Sequence, residues 1–267
     1  MLSEALCSFG VLAEYLLDDV PDSNTVSAFD AIGIDLEKYR KRISDEDVLF
    51  LVDHHETKYE NKIIGCIDHH PTEQNLSFEI YYNKPSSSCA LSIFRLLENE
   101  GMRLDKRQTE LAVLSVYMDT NSCKSTKFFE SDRAWITSAC EKYSFDKALF
   151  EQLGFFMTDT SLPIDKLSQN GFKEYSFGKK KVYASHVQCK DNEENAKKLV
   201  ELRGYIARRC RELDIAMWIL IYIDPIKEMT SVYKITNDNE FVYSENRILS
   251  RSMDVIPKIE REFLQNG

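Results

Sequence analysis

Val48-Leu49-Phe50-Leu51-Val52-Asp53-His54-His55 is a short apolar run that ends on an aspartate and two histidines, and Ile63-Ile64-Gly65-Cys66-Ile67-Asp68-His69-His70 repeats the pattern. Each run, bounded by polar residues, reads as a buried strand of the kind found in parallel sheets. In both, the aspartate is the first residue after the apolar run. Carboxylate and imidazole therefore stand at the carboxyl ends of neighbouring strands, the edge where open α/β sheets bind ligands. Four of the five histidines of the chain lie in these pairs. Neutral imidazole with carboxylate is the donor mixture expected for Mn²⁺, Co²⁺ or Zn²⁺, whereas thiolate-rich sets point to structural zinc. The bland alternative is a pair of surface turns. Recurrence at two strand ends argues against it.

Outward from these strands, apolar spacing predicts helices over Leu2–Leu17, Ser88–Asn99, Lys106–Met118, Ser131–Tyr143 and Asp146–Phe156. Strands followed by helices predict an α/β fold with a parallel sheet. Met157–Pro163 is polar and ends in proline, which marks it as a linker. Beyond it the rhythm changes. Phe172–Phe177 and Lys181–Val187 form a hairpin pattern around Gly178, Asn192–Leu213 a long helix, Ile215–Ile223 and Thr230–Ile235 further strands, and Asp254–Leu264 a last helix. The expected organisation is an N-terminal parallel-sheet domain over 1–156, a linker over 157–163, and a smaller mixed α+β domain over 164–267.

With 267 residues the chain is long enough for two cores. No apolar run reaches membrane-spanning length, and no basic-then-apolar leader opens the sequence. The seven cysteines are scattered without CxxC or Cys-His spacing and read as reduced thiols of a cytoplasmic protein. A formal net charge of −10 disfavours nucleic acid as a partner. An acidic chain acting on phosphates needs bound cations or a local basic patch.

Other positions are weaker alone. Asp119 follows the apolar stretch Ala112–Met118 and opens the polar run Asp119-Thr120-Asn121-Ser122; its plain reading is a helix C-terminal turn. Pro85-Ser86-Ser87-Ser88 before a helix reads as an N-cap, with anion binding as the alternative.

Taken together, these segments resemble the motifs of the DHH-superfamily phosphoesterases. Leu51-Val52-Asp53-His54-His55-Glu56 resembles the second motif, and Ile67-Asp68-His69-His70 matches the signature that names the superfamily. Ser86-Ser87-Ser88-Cys89-Ala90 is similar to the turn that follows it. Met118-Asp119-Thr120 with Lys124-Ser125 resembles the fourth motif. Ile248–Pro257, containing Ser250-Arg251-Ser252-Met253, is similar to the phosphate-binding segment of the second (DHHA2-type) domain of family II inorganic pyrophosphatases and related exopolyphosphatases.

The resemblance implies a metal-dependent hydrolysis of pyrophosphate or short polyphosphate. It places metal ligands at Asp53, His69 and Asp119, with Asp68 orienting an imidazole. The catalytic candidate His70 falls where the family contacts the phosphate, and Lys173 and Arg251 fall on phosphate-binding positions. The implied cofactor is Mn²⁺, or Co²⁺ or Mg²⁺, in a two-metal site that ionises a bridging water and binds phosphoryl oxygens. The implied partner is a small anionic phosphate substrate, with neither membrane nor nucleic acid.

The sequence departs from the family pattern in two places. The family's first motif, a histidine with two aspartates, would stand ahead of the first helix, where only Met1 lies; either the sequence starts at an internal methionine or the motif is absent, and Asp18, Asp19 and Asp22 are poor substitutes. One metal site would then keep mainly Asp53. Loss of the accompanying strand would expose a sheet edge and favour a homodimer. In the C-terminal segment the two family lysines are Ser252 and Met253, with Lys258 and the arginines of the long helix as distant alternatives. Two competing readings follow: a catalytically impaired binding or regulatory protein of the same fold, and a phosphodiesterase acting on oligonucleotides or cyclic dinucleotides. The phosphodiesterase reading lacks the Gly-Gly segment that such relatives use.

Overall fold

The structure, a computed structural model, describes residues 1–17, 21–41, 43–55, 62–71 and 78–266. The chain divides into two compact units: Met1–Cys123 with Lys127–Gly154, and Lys124–Thr126 with Phe155–Gly267.

The first unit is built on three parallel strands in the order β1 (Leu49–Val52), β2 (Ile63–Asp68) and β3 (Ile80–Asn83). Its helices are α1 (Leu2–Ser8), α2 (Ser23–Ala31), α3 (Cys89–Asn99), α4 (Lys106–Asp119), α5 (Glu130–Tyr143) and α6 (Lys147–Leu153). Parallel pairing explains why β2 reads as continuous apolar sequence: its last four residues are all buried. Gly65 pairs with Phe50 and Ile80 and lets the Phe50 ring lie across the strand; an added Cβ would sit 2.4 Å from Phe50 Cε2. Start signals in the sequence act as caps. The Ser88 hydroxyl accepts from Leu91 N to open α3, and Asp105 and Gln108 cap α4 reciprocally. Leu91, Val113, Leu114, Val116, Ile136 and Phe150 form the core beneath these helices.

The helix expected over Leu2–Leu17 is shorter. It ends at Ser8; Gly10, at φ +81°, turns the chain out of the helix, and beyond it Glu14 pairs with Lys41 and Leu17 makes one parallel bridge to Arg40. The later apolar residues of that stretch find no core: Phe9 is 70% and Leu12 94% exposed. Of the acidic residues weighed there, Asp22 caps α2 by accepting from Asn24 N and Thr25 N, while Asp18 and Asp19 lie outside the described residues.

The second unit carries five strands in sequence order, β4 (Lys173–Phe177), β5 (Lys180–Gln188), β6 (Met217–Asp224), β7 (Met229–Ile235) and β8 (Glu240–Glu245). Only β5 and β6 are parallel, and α8 (Glu193–Glu212) supplies the crossover that parallel neighbours need. A short α7 (Ile164–Ser168) precedes the sheet and α9 (Ile256–Asn266) follows it. β6 is buried along its whole length because both faces are covered. Trp218, Leu220 and Tyr222 pack with Leu202, Ile206 and Cys210 of α8. Ile219, Ile221 and Ile223 pack with Val255, Ile256 and Ile259 at the start of α9. None of the described helices is long and apolar enough to cross a membrane. All seven cysteines are free thiols, and only Cys7 is exposed.

Candidate metal centre

Both Asp-His-His segments leave the sheet at the same edge. Val52 pairs with Ile67, and the next amide, Asp53 N, donates to Ile67 O at 2.9 Å. Asp53 then turns at φ +68°, a conformation that costs a non-glycine residue free energy and that clusters at functional sites. The turn brings its carboxylate beside the residues that end β2.

Asp68, the last residue of β2, is wholly buried and acts as the hub of this edge. One oxygen accepts from His70 Nδ1 at 2.7 Å and from the amides of His69 and His70 at 2.7 and 3.1 Å. The other accepts from His55 Nδ1 at 2.6 Å. Burial pushes the Asp68 carboxyl up, but the bonds from His70 and His55 outweigh it and hold the group well below the usual carboxylate range. A carboxylate with every oxygen committed orients rings; it does not present a free ligand atom.

His69 is set differently. Its Nδ1 lies 2.9 Å from the Ser86 carbonyl. A carbonyl only accepts, so Nδ1 carries a proton and Nε2 is the ring nitrogen turned inward. Nε2 is buried without a hydrogen-bond partner. It faces Asp53 Oδ1 at 3.2 Å and Asp119 Oδ2 at 3.8 Å. A buried ring nitrogen beside two carboxylates calls for a cation among them, either a metal ion or the ring's own second proton. One ligand atom each from Asp53, Asp68, His69 and His70 falls within 4.8 Å of the others, and with both Asp68 oxygens already bonded the cluster offers Asp53 and the two imidazoles. The donors are oxygen and nitrogen only. Burial pushes the nearby Cys66 thiol up to about 11 and Cys89 higher still, so neither supplies a thiolate. These residues fit a divalent cation of the borderline or hard class.

Asp119 is the last residue of α4, and an unusual turn follows it. Asn121, Ser122 and Cys123 are all left-handed, at φ +48°, +57° and +62°. Hydrogen bonds hold this turn: Ser122 N to Tyr117 O at 2.8 Å, Ser122 Oγ to Glu151 O at 2.6 Å and Cys123 N to Thr120 Oγ1 at 3.0 Å. Burial pushes the Asp119 carboxyl above its ordinary value and Asp53 reinforces this, against the opposing Lys127 ammonium. Burial also pushes Asp53 up, but His69, His70 and Lys127 outweigh it there and the carboxyl lies below its ordinary value. A bound cation would favour the ionised form of both.

Lys127 is the residue that sequence reasoning missed. Its Nζ lies 3.3 Å from Asp119 Oδ1. The Lys124 of the family-like Lys-Ser pair instead meets Glu228 at 2.7 Å, within the second unit. Both lysines follow the left-handed turn, and no spacing rule reports which of them reaches Asp119.

The remaining candidates are placed as follows. The serines before α3 are buried. Ser86 supplies the carbonyl that holds His69 while its own hydroxyl is buried without a partner, Ser87 Oγ donates to Asp132 at 2.5 Å, and Ser88 is the helix cap. Lys173 opens β4, and Arg251, in a π-helical turn ahead of α9, donates to the Gly171 carbonyl in the same unit. The Lys258 ammonium sits 3.9 Å above the Tyr243 ring and 3.8 Å from Glu245. On α8, Arg203 pairs with Glu240 and Arg209 with Glu212. His54 turns its Nδ1 to the Val52 carbonyl, and Glu56 lies outside the described residues.

A parallel sheet with carboxylates and imidazoles at its carboxyl edge, joined to a second mixed-sheet unit, makes a two-unit α/β protein. No protein-family profile matches the chain. It is similar to the manganese-dependent inorganic pyrophosphatase of Bacillus subtilis (strain 168), 23% identical over 203 residues, 71% of this chain. That match spans 65% of the relative's length, short of two thirds. It is also similar to a Bacillus velezensis protein provisionally assigned the same activity, 22% identical over 78% of this chain and 75% of that one. A crystal structure from Methanococcus jannaschii, provisionally assigned as a family II inorganic pyrophosphatase, superposes with a TM-score of 0.75 at 20% identity, over 92% of this chain and 89% of that one. The fold is that of the family II inorganic pyrophosphatases, and the sequence relatives are manganese-dependent enzymes of that name.

Proposed function

We propose that the protein is a metal-dependent hydrolase of phosphoanhydrides, acting on pyrophosphate or short polyphosphate. The observation that carries this reading is the buried, unpartnered Nε2 of His69 facing the carboxylates of Asp53 and Asp119. In this reading Asp53, His69 and Asp119 hold a divalent ion, Mn²⁺ by analogy with the relatives. When bound, such an ion supplies an ionised water and neutralises phosphoryl oxygens.

The protein's own groups do the rest. Asp68 fixes the rings of His55 and His70. The protonated Nδ1 of His69 is tied to Ser86, which keeps Nε2 free for the ion. His70, part-buried, donates from Nδ1 to Asp68, and as the imidazolium it would also donate from Nε2 to a phosphoryl oxygen. Lys173 and Arg251 are assigned to phosphate oxygens: a guanidinium grips phosphate at two points and a lysine supplies a point charge.

The test is phosphate release from pyrophosphate, tripolyphosphate and a dinucleotide, each with Mn²⁺, Co²⁺ and Mg²⁺. Release from pyrophosphate with Mn²⁺ is expected, falling at least about a hundredfold in Asp119→Ala. Faster cleavage of the dinucleotide would move the protein to the phosphodiesterases. Metal uptake with no release from any substrate would favour a binding protein on the same fold.

A further inference from the structure

We propose that Lys127 is a positioning residue of this centre and its permanent cation. It holds one oxygen of Asp119 so that the other faces His69. Its charge weakens the hold on a divalent ion and strengthens the hold on an anion bound at that ion. The inference rests on reading the site as a divalent-metal centre.

The geometry divides Asp119 in two. Oδ1 lies 3.3 Å from Lys127 Nζ, and Oδ2 lies 3.8 Å from the unpartnered His69 Nε2. The carboxylate therefore arrives at the centre with one oxygen already committed to a protein cation. Lys127 is also withdrawn from water in a way that the other lysines paired in this unit are not. Its side chain is 12% exposed, against 71%, 54% and 67% for Lys38, Lys41 and Lys62. Drawing an ammonium out of water is costly, and an exposed ion pair serves stability about as well without that cost. What the buried position adds is a charge that solvent and salt screen poorly, beside the carboxylates that face His69. Asp68 already has both oxygens bonded, to His55, His70 and two amides. Asp53 and Asp119 are left as the anionic pair of the centre, with Lys127 as the lysine ion-paired to it among the described residues. A cation fixed there opposes a second cation and attracts an anion, whichever ion is loaded.

The experiment separates hydrogen bond from charge. Lys127→Gln keeps a donor for Asp119 and removes the charge; Lys127→Arg keeps both. Mn²⁺ affinity is read from the paramagnetic resonance signal of free Mn²⁺. Binding of inorganic phosphate at saturating Mn²⁺ is read by calorimetry, with circular dichroism confirming that each variant is folded. Lys127→Gln is expected to bind Mn²⁺ about tenfold more tightly and phosphate about tenfold more weakly, while Lys127→Arg stays within about threefold of the parent on both. A Lys127→Gln protein with both affinities unchanged, or with weaker Mn²⁺ binding, would overturn the proposal and leave Lys127 a structural ion pair. If the parent protein takes up no Mn²⁺, the metal-centre reading itself fails and this inference falls with it.

Discussion

Asp68 shows at the scale of one residue how a buried charge is kept. It is fully buried yet ionised, because two imidazoles and two amides donate to it. Asp68→Asn presents an amide where these donors need acceptors, and is expected to lower stability by about 2 kcal/mol in urea denaturation. Its pH dependence has a definite sign. The folded carboxyl lies below its ordinary value, so its contribution is present above the unfolded value near ~4 and is lost as pH falls toward the folded one. The gap between the parent and Asp68→Asn is therefore expected to be constant near neutrality and to close below about pH 4. A gap that widened on acidification would sink this account.

Close backbone approaches set the site at the scale of elements. Gly65 leaves room for the Phe50 ring where β1 and β2 pair, just past an irregularity between Leu49 and Phe50. Gly65→Ala is expected to cost about 1–3 kcal/mol, and Phe50→Leu in the same background to recover part of it, measured by thermal unfolding. Gly154, after α6, plays a similar part under the left-handed turn. A Cβ there would lie 2.4 Å from Ser122 Oγ and 2.6 Å from the Tyr117 carbonyl. Tyr117 and Ser122 bracket Asp119, so Gly154→Ala is expected to weaken Mn²⁺ binding as well as stability. If stability falls and Mn²⁺ affinity does not, the turn does not position Asp119.

In the whole molecule the two units have separate cores, and the candidate ligands Asp53, His69 and Asp119 all belong to the first. Ile221, on the doubly covered β6, is 1% exposed in the core of the second unit. Ile221→Ala is expected to destabilise that unit by about 2–5 kcal/mol, seen as earlier proteolysis of the segment after Phe155. Mn²⁺ binding should persist under conditions where the first unit stays folded. Loss of Mn²⁺ binding in step with that proteolysis would contradict a centre built from the first unit alone.

Patterns of local origin were legible in the sequence. The strands ending at Asp53 and Asp68 follow from apolar runs of strand length, the starts of α3 and α8 from Ser88 and Asn192 as caps, and the β4–β5 hairpin from Gly178. The pairing of aspartate with histidine at two strand ends already named the donor chemistry of the site. Local pattern failed where it had no partner to satisfy: the apolar spacing after Ser8 promised a helix, but no core receives Phe9 or Leu12. Tertiary structure alone decided which donors meet. Register places Asp53 against His69, the Ser86 carbonyl fixes which His69 nitrogen turns inward, and the chain past the left-handed turn brings Lys127 rather than Lys124 to Asp119. Propensity and hydrophobic period act over a few residues. The aim of the His69 ring depends on Asp53, Ser86 and Asp119, which lie far from it in sequence, and only the folded chain brings them together.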